Sequence, residues 1–326
     1  MRVQTSLTLR RIGARSAAAI CAVILAVALG VPRSHTQEPI TAEDLQFGGL
    51  ERTCALHVPA GYNGKTPAAL VIVLHGAGGS GARMIERDGW IAASDKNGFI
   101  LAGPDAEPVR PSEPESFLKN PRAWNDLSAR GSAAHRQIDD TGFIDALITR
   151  LSGEYRIDPR RIYVTGFSSG ASMTLTLGVK LAARIAAIAP VSGQFFLGGT
   201  TLATPLSMLY IIGTEDPLNP LAGGATRTPW GLMPKPPIAK TIYAWRTMLK
   251  CPPGPATLRN SDGVKGVSYG PCAGGTVLEF YTVEGLGHVW PGGPQSLPPR
   301  WVGEASNKLD GTALICNFFA AHQKVN

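Results

Sequence analysis

A Gly-x-Ser-x-Gly pentapeptide is the stretch of this chain whose residue types and spacing are best suited to chemistry. Ser168 lies between Gly166 and Gly170, with a β-branched and aromatic run before it and an apolar helical pattern after it. Glycines at these positions relieve the collisions of a very tight strand-to-helix turn. Such a turn exposes the serine oxygen near the positive end of the following helix. The pattern predicts a nucleophilic serine, and an ordinary glycine-rich loop is the alternative interpretation.

A serine hydroxyl is a weak nucleophile until a base removes its proton and an acid orients that base. When the nucleophile comes first in the chain, the acid follows and the histidine comes last. Only His288 and His322 follow Ser168. His322 lies in the last predicted helix, whereas His288 lies in a glycine-rich loop directly after the last predicted strand, where ligands bind in such sheets. His288 is therefore the predicted base.

The orienting acid is expected between the serine and the histidine in the chain. Asp216 lies just past the predicted strand at 207–212, and Pro217 restricts the chain beyond it. Glu215 is adjacent and remains the fallback. Glu284 is a further candidate in this interval. Asp262 and Glu279 are less suitable, because Asp262 lies in a cysteine-bounded loop and Glu279 lies inside a strand.

Backbone N–H groups must also be ready to bind the negative charge that develops on an attacked carbonyl oxygen. One donor is normally the residue after the nucleophile, here Ser169. The other is expected in the glycine-rich loop at 75–79, and we assign it to Ala77. A phosphate cradle is the alternative, but the loop lacks the P-loop lysine and a clear dinucleotide-binding continuation. We therefore expect no cofactor.

Strands and helices alternate along the chain, and several strands are continuously apolar, as strands covered on both faces are. This alternation predicts an α/β class protein with a mainly parallel central sheet and helices on both faces. Strands are predicted at 52–59, 69–75, 99–103, 162–164, 186–191, 207–212 and 277–283. Helices are predicted at 82–96, 138–155, 171–181, 238–249 and 309–322. The Pro- and Gly-rich stretches 217–237 and 291–302 are expected to be surface loops beside the site.

The first thirty of the 326 residues have the pattern of a secretory signal peptide: four arginines, an apolar run at 17–29 and small residues at 28–30. An uncleaved membrane anchor is the alternative. Residues 31–46 are expected to form a polar leader, followed by a single catalytic domain over 47–326. The protein is thus expected to be secreted or periplasmic, without membrane contact after cleavage.

The charge balance makes no case for nucleic acid as a partner. The whole chain carries a formal net charge of +7, but four of its 31 basic residues lie in the first thirty positions and none of its 24 acidic residues does. The rest of the chain therefore has a net charge of +3 and contains no run of basic residues. This charge distribution does not indicate a nucleic-acid-binding surface.

Four cysteines follow the signal region, and an even number in an exported protein favours disulfides. Cys251 and Cys272 flank a loop rich in Gly, Pro and Ser, so their pairing would close a local and poorly packed excursion. Cys54 and Cys316 would then join the first strand to the last helix. Buried free thiols are the alternative, more so for the second pair. No cysteine or histidine spacing suggests a metal site.

From about Glu51 to His322 the chain resembles the esterase family that contains extracellular polyhydroxybutyrate depolymerases, feruloyl esterases and acetyl xylan esterases, which are α/β-hydrolases. The motifs that carry this resemblance lie at 74–76, 124–125, 139–143, 158–171, 213–217 and 287–293. The resemblance implies Ser168, Asp216 and His288 as the catalytic triad, and it implies that Trp290 lines the acyl or alcohol pocket. Many family members have different residues at the positions of Ala77 and Ser169, and this difference is expected to affect the shape of the pocket.

Other residues near the motifs have plainer interpretations. Trp230 and Met233 are expected to shape the substrate cleft, although scattered apolar residues of a loop are an equal alternative. Asp139 and Asp140 look like a carboxylate pair, but they are more simply explained as the N-terminal cap of the next helix.

These residues together predict an exported serine esterase that works through an acyl-enzyme without a metal or cofactor. Feruloyl or acetyl esters of plant polysaccharide are the first expectation for its substrate, and short polyhydroxyalkanoate esters are the alternative. A non-catalytic surface- or carbohydrate-binding protein on the same fold is the rival from another functional class.

Overall fold

A ten-stranded mixed sheet forms the centre of the computed structural model, which describes residues 40–128, 135–228 and 231–324. The described strands comprise the ten of this sheet and two, β8 and β9, of a separate hairpin. They are β1 (Thr41–Phe47), β2 (Leu50–His57), β3 (Ala68–Leu74), β4 (Ile100–Pro104), β5 (Ile157–Phe167), β6 (Ala187–Val191), β7 (Ser207–Gly213), β8 (Gly224–Thr228), β9 (Gly231–Lys235), β10 (Ala256–Ser261), β11 (Val264–Tyr269) and β12 (Leu278–Val283). The helices are α1 (Gly81–Arg87), α2 (Trp90–Asn97), α3 (Asp140–Glu154), α4 (Ser169–Lys180), α5 (Ile238–Met248), α6 (Pro299–Val302) and α7 (Gly311–Ala321).

The middle of the sheet is parallel and its two edges are antiparallel. The strand order is β1-β2-β4-β3-β5-β6-β7-β12-β11-β10, and the run from β4 to β12 pairs in parallel. β1 and β2 at one end, and β11 and β10 at the other, pair antiparallel with their neighbours. All seven residues of β3 are buried and apolar, because helices cover both faces of the sheet there. The predicted α/β-hydrolase fold is confirmed.

The helices divide into two groups, one on each face of the sheet. Side chains of α3, α4 and α5 join one apolar cluster, which includes Phe143, Met173 and Trp245. Side chains of α1, α2 and α7 join a second cluster on the opposite face, which includes Trp90 and Phe318. Because the central strands are parallel, their carboxyl ends meet at a single edge, and the loops that follow β3, β5, β7 and β12 are brought together there.

The sheet begins earlier in the chain than the sequence suggested. β1 starts at Thr41, inside the stretch 31–46 that we expected to be a polar leader. Leu45 and Phe47 pack against the core, while Ala42, Asp44 and Gln46 face solvent. This alternation is typical of an edge strand with one covered face, and the polar residues of the stretch disguised it.

The single helix predicted over 82–96 is two helices, α1 and α2. Gly89 between them adopts a left-handed conformation with φ of 78°, which a continuous right-handed helix cannot include. The carbonyl oxygen of Asp88 beside this break accepts a hydrogen bond from Thr312 Oγ1 of α7 at 2.6 Å. The break therefore fixes the two short helices against the last one.

Two stretches that we expected to be irregular contain hairpins. The loop between Cys251 and Cys272 is not a poorly packed excursion, because its β10 and β11 continue the central sheet beyond β12. The surface loop predicted at 217–237 contains the separate two-stranded hairpin β8–β9. The loop predicted at 291–302 contains α6. Alternation in β10 and β8 is weak because most of their side chains are exposed, so the apolar pattern did not reveal them.

The cysteines agree with only one of the two predicted pairings. Cys251 and Cys272 form a disulfide, with their Cα atoms 4.2 Å apart. Cys54 and Cys316 are free thiols, so their predicted bond is wrong. The reason is geometric: Cys54 packs in the cluster on one face of the sheet and Cys316 against the cluster on the other. Burial raises the pKa of both thiols, that of Cys316 to about 12, which keeps them unreactive.

The N-terminal expectations concern residues beyond the described part of the chain. The signal peptide predicted at 1–30 lies outside the described residues, as do positions 31–39 of the predicted leader. Within the described ranges, no helix has the length and apolar character needed to cross a membrane.

We expect peptide mapping of the unreduced protein, alkylated after denaturation so that the buried thiols are accessible, to find Cys54 and Cys316 labelled and Cys251 linked to Cys272. Replacing both linked cysteines with alanine should lower the free energy of unfolding by about 3 kcal/mol, because the bond closes a loop of 21 residues. Urea denaturation measures this change. A Cys54→Ala variant that loses a disulfide-linked peptide would contradict the assignment.

Candidate active site

Ser168 occupies the strained turn that the pentapeptide predicts. It joins β5 to α4 with φ of 56° and ψ of −114°, a backbone conformation that residues other than glycine rarely adopt. A Cβ atom on Gly170 would lie 2.2 Å from the carbonyl oxygen of Leu74, and one on Gly166 would lie 2.6 Å from the backbone of Gly170. The Ser168 N–H donates to the carbonyl oxygen of Val191 at 3.0 Å. The glycines thus allow the close packing that holds the serine in this conformation.

His288 and Asp216 meet at the same edge of the sheet, after β12 and β7. The distance from His288 Nδ1 to Asp216 Oδ2 is 2.8 Å, and both side chains are buried. The other carboxylate oxygen accepts hydrogen bonds at 2.8 Å from the backbone N–H groups of Leu218 and Asn219. The carboxylate is therefore fixed on both sides, and it determines which ring nitrogen of His288 carries a proton.

The environment of Asp216 keeps its carboxyl group ionised. Burial alone would raise its pKa, but the nearby His288 and the hydrogen bonds from His288, Asn219 and Leu218 outweigh burial and hold the pKa below its usual range. A permanent negative charge at this position stabilises a protonated imidazole.

A cavity of about 440 Å³ contains both Ser168 and His288 in its walls. Since Asp216 occupies Nδ1 of the ring, Nε2 is the nitrogen that His288 can present to this cavity. The ring of Phe167 lies 4.6 Å from the His288 ring, centroid to centroid, and restricts its position. We name this space the Leu297 cavity, and its further walls include Ser80, Arg83, Met84, Glu115, Phe117, Ser296, Leu297 and Val302.

Ala77 and Ser169 are the two residues predicted to donate backbone N–H groups to a substrate oxygen. Ser169 is the first residue of α4, where N–H groups have no partner within the helix. Among the residues that the structure describes, neither N–H group has a hydrogen-bond partner. Both residues line a second cavity, so the two donors are available at its wall.

The loop that carries Ala77 is held by a buried histidine that our sequence analysis did not assign. Nδ1 of His75 donates to the carbonyl oxygen of Gly76 at 2.8 Å, and Nε2 accepts from the N–H of Ala106 at 3.0 Å. Trp124 Nε1 donates to the His75 carbonyl oxygen at 2.9 Å. Burial lowers the pKa of His75, which keeps the ring neutral as these contacts require. The motifs at 74–76 and 124–125 were the only signal of this role.

The second cavity has a volume of about 330 Å³, and we name it the Leu118 cavity. Leu118 and Trp124 come from the proline-rich stretch before α3, and Met233 comes from the β8–β9 hairpin. The described walls are Ala77, Val109, Arg110, Leu118, Lys119, Pro121, Ala123, Trp124, His135, Ser169 and Met233. Ala77 also belongs to the Leu297 cavity, so the two spaces meet beside the serine. Met233 was predicted to shape the cleft and Trp124 lies in one of the family motifs, but no sequence pattern pointed to Val109 or Leu118.

The predicted role of Trp290 in a substrate pocket is wrong. Its side chain is only 1% exposed and belongs to neither cavity. The indole packs edge-on against Trp90, with ring centroids 5.9 Å apart, and Nε1 donates to Thr312 Oγ1 at 3.0 Å. Its partners, Trp90 of α2 and Thr312 of α7, are distant in sequence. The sequence pattern around Trp290 therefore did not reveal that the side chain lies in the core. Trp230 lies outside the described residues.

The two aspartates before α3 have different roles. Asp139 caps the helix as predicted, because its carboxylate accepts the N–H of Gly142 at 2.8 Å. Asp140 is buried instead and accepts from Arg52 of β2 and from the N–H of Asn125, each at 2.7 Å. This ion pair fixes the segment that carries Trp124. Nowhere in the described ranges do His, Cys, Asp and Glu side chains gather in a group that could hold a metal ion.

Comparison with known proteins agrees with this geometry. Residues 62–230 match the Phospholipase/Carboxylesterase family. The candidate esterase NocK of Nocardia uniformis subsp. tsuyamanensis is 31% identical over 306 residues, which cover 85% of this chain and 82% of NocK. Feruloyl esterase B of Piromyces equi is 28% identical over 246 residues, 73% of this chain and 42% of that enzyme. An acetyl xylan esterase from Aspergillus awamori shares the fold, with a TM-score of 0.55, 17% identity, and coverage of 76% of this chain and 94% of that one.

The chain belongs to the Phospholipase/Carboxylesterase family of α/β-hydrolases and is an ester hydrolase of that superfamily. The predicted family resemblance is confirmed at the level of esterases. The matched region spans less than half of the Piromyces equi enzyme.

The turn around Ser168 should not tolerate a larger residue at Gly170. We expect Gly170→Ala to lower the free energy of unfolding by about 2–4 kcal/mol, since its Cβ would collide with the Leu74 and His75 carbonyl oxygens. Gly153→Ala, in open space on α3, is the matched control and should be neutral or stabilising by up to about 1 kcal/mol. Urea denaturation compares the two, and equal stabilities would contradict the steric argument.

Proposed function

We propose that this protein hydrolyses carboxylic esters through a triad of Ser168, His288 and Asp216. The observation that carries the proposal is the 2.8 Å contact between His288 and Asp216, with His288 lining the same cavity as Ser168. A nucleophile, a base and a fixed negative charge are the three groups that acyl transfer through serine requires. The strained serine conformation and the two free backbone donors support the same chemistry.

In the first half of the reaction, Ser168 Oγ attacks the ester carbonyl carbon while His288 Nε2 takes the hydroxyl proton. The carbonyl oxygen becomes negatively charged, and the N–H groups of Ala77 and Ser169 bind it. When the tetrahedral intermediate collapses, the bond to the alcohol oxygen breaks and the imidazolium gives its proton to that oxygen. The products of this half are the free alcohol and an acyl group on Ser168.

In the second half, water replaces the alcohol. His288 takes a proton from the water molecule as the water oxygen attacks the acyl carbon. When the second intermediate collapses, His288 transfers this proton to Ser168 Oγ. The carboxylic acid leaves and the serine is restored. Asp216 keeps its negative charge throughout and stabilises the imidazolium in both halves.

We propose feruloyl or acetyl esters of plant polysaccharide as the first class of substrate. Relatives named feruloyl esterase and a fold neighbour named acetyl xylan esterase support this choice. Short polyhydroxyalkanoate esters are the alternative. A panel of methyl ferulate, acetylated xylan and hydroxybutyrate oligomers separates these classes, and hydrolysis of the oligomers alone would favour the alternative.

We also propose that residues 1–30 are a signal peptide and that the enzyme acts outside the cytoplasm, in the periplasm or the medium. The arginine-rich start and the apolar run at 17–29 support the proposal. N-terminal sequencing of the protein recovered from its source cells tests it.

Ser168→Ala should reduce kcat for 4-nitrophenyl acetate by at least about 10⁴-fold, because the variant lacks the oxygen that forms the acyl-enzyme. Its circular dichroism and melting temperature should stay close to those of the wild type. Ser152→Ala, on the exposed side of α3, is the matched control and should keep full activity. If the Ser168→Ala variant keeps its activity, the proposed triad is wrong. If the wild type cleaves no ester, the rival interpretation of a non-catalytic binding protein is favoured.

Asp216→Asn should reduce kcat by about 10⁴-fold, because an amide stabilises neither the required tautomer nor the imidazolium. It should also change the acid stability. The pKa of Asp216 is depressed in the folded state, so its carboxylate stabilises the fold above the unfolded pKa of about 3.9, and this stabilisation disappears as the pH falls through the folded pKa. Urea midpoints from pH 7 to pH 3 should therefore fall less steeply in the variant than in the wild type.

A further inference from the structure

The reaction places three atoms of the ester relative to the protein. The carbonyl oxygen must lie between the N–H groups of Ala77 and Ser169, and the carbonyl carbon must face Ser168 Oγ. The alcohol oxygen must lie within reach of His288 Nε2, since it receives its proton there. These three positions leave one direction for the acyl chain, which is away from His288.

The two cavities differ in which of these groups they contain. The Leu297 cavity has both Ser168 and His288 in its walls. The described walls of the Leu118 cavity include Ala77 and Ser169 but neither Ser168 nor His288. An ester bound at the serine therefore has one space on the side of the proton donor and another on the side of the oxygen-binding N–H groups.

We infer that the Leu118 cavity binds the acyl group of the substrate and the Leu297 cavity binds the leaving alcohol, an assignment that rests on the proposed function. The walls then define the chemistry of each half. Val109, Leu118, Trp124 and Met233 make most of the acyl cavity apolar, beside the charged Arg110 and Lys119, and one indole ring can pack against a flat group.

The size of the Leu118 cavity indicates a large acyl group. Its volume of about 330 Å³ is in the range of cavities that hold a whole small-molecule ligand, so an acetyl group would leave most of it unfilled. Leu118 at its wall is 57% exposed, an apolar surface that a bound acyl chain would cover. The acyl class that fits is therefore aromatic or medium-chain aliphatic.

The Leu297 cavity is suited to a more polar group. Ser80, Arg83, Glu115 and Ser296 contribute hydroxyl and charged groups to its walls, beside the apolar Leu297 and other side chains. Hydroxyl-rich alcohols can form hydrogen bonds with such groups and still pack on the apolar part of the wall. A sugar hydroxyl is the leaving alcohol with this chemistry.

Matched substitutions in the two cavities test the assignment. We would compare Leu118→Trp with Leu297→Trp, because both replace leucine by the same larger side chain and neither residue belongs to the catalytic machinery. The acyl series is 4-nitrophenyl acetate, butyrate and octanoate together with methyl ferulate. The alcohol series is methyl acetate and 2-naphthyl acetate, in which the acyl group stays constant.

Leu118→Trp should lower kcat/KM for the octanoate and ferulate esters by about 10-fold or more, while changing the acetate esters less than about 3-fold. Leu297→Trp should lower kcat/KM for 2-naphthyl acetate and spare methyl acetate. The reverse pattern, or equal effects on all esters, overturns the assignment. A wild type that prefers acetate over every larger acyl group overturns the acyl class.

The controls separate this proposal from the proposed function. Met233→Trp is a second filling variant in the acyl cavity, and it should reproduce the pattern of Leu118→Trp; melting temperatures identify any variant that fails to fold. If the wild type hydrolyses no ester, or the Ser168→Ala variant remains active, the triad itself is wrong. If turnover is lost in Ser168→Ala but the cavity variants show no selectivity, only the cavity assignment is wrong.

Discussion

The close packing of α4 against the end of β3 is the contact on which the rest of the site depends. Gly170 in the first turn of the helix lies directly against the carbonyl groups of Leu74 and His75, with no room for a Cβ atom. This contact places the serine turn and the loop of Ala77 side by side. If the helix moved outward by the width of a methyl group, Ser168 and the N–H groups of Ala77 and Ser169 would no longer face the same substrate carbonyl, so the proposed chemistry depends on this backbone contact as much as on the proposed triad.

Buried polar contacts hold the Ala77 loop where that packing requires it. His75 bridges Gly76 and Ala106, and Trp124 binds the His75 carbonyl from the other side. Trp124 is in turn positioned by its neighbour Asn125, whose N–H donates to Asp140. Asp140 is neutralised by Arg52, an arginine that is only 1% exposed. An unpaired charge in this place would be costly, so the pair secures the loop only because both partners are present.

Local pattern and chain order predicted where the serine turn, Asp216 and His288 lie, although local pattern missed β1 and the break at Gly89. The tight turn at Ser168 needs glycines that are visible in the sequence, and the placement of Asp216 and His288 follows from the ends of strands that apolar runs reveal. Prediction failed where contacts join distant segments. Trp290 packs on residues of α2 and α7, and the sheet separates Cys54 from Cys316. Neither fact has a local signature, because each depends on which face of the sheet an element covers.

The proposed catalytic residues and the walls of the Leu118 cavity lie on different kinds of structural element. The residues of the proposed triad lie at the ends of buried parallel strands, whose positions are determined by the core on both faces. Leu118 and Met233 instead belong to a proline-rich stretch and an isolated hairpin that add little to that core. Substitutions there can change the size of the Leu118 cavity at small cost in stability, since few buried contacts are lost. On the proposed assignment of the cavities, these loops rather than the strand ends would determine which esters the protein accepts.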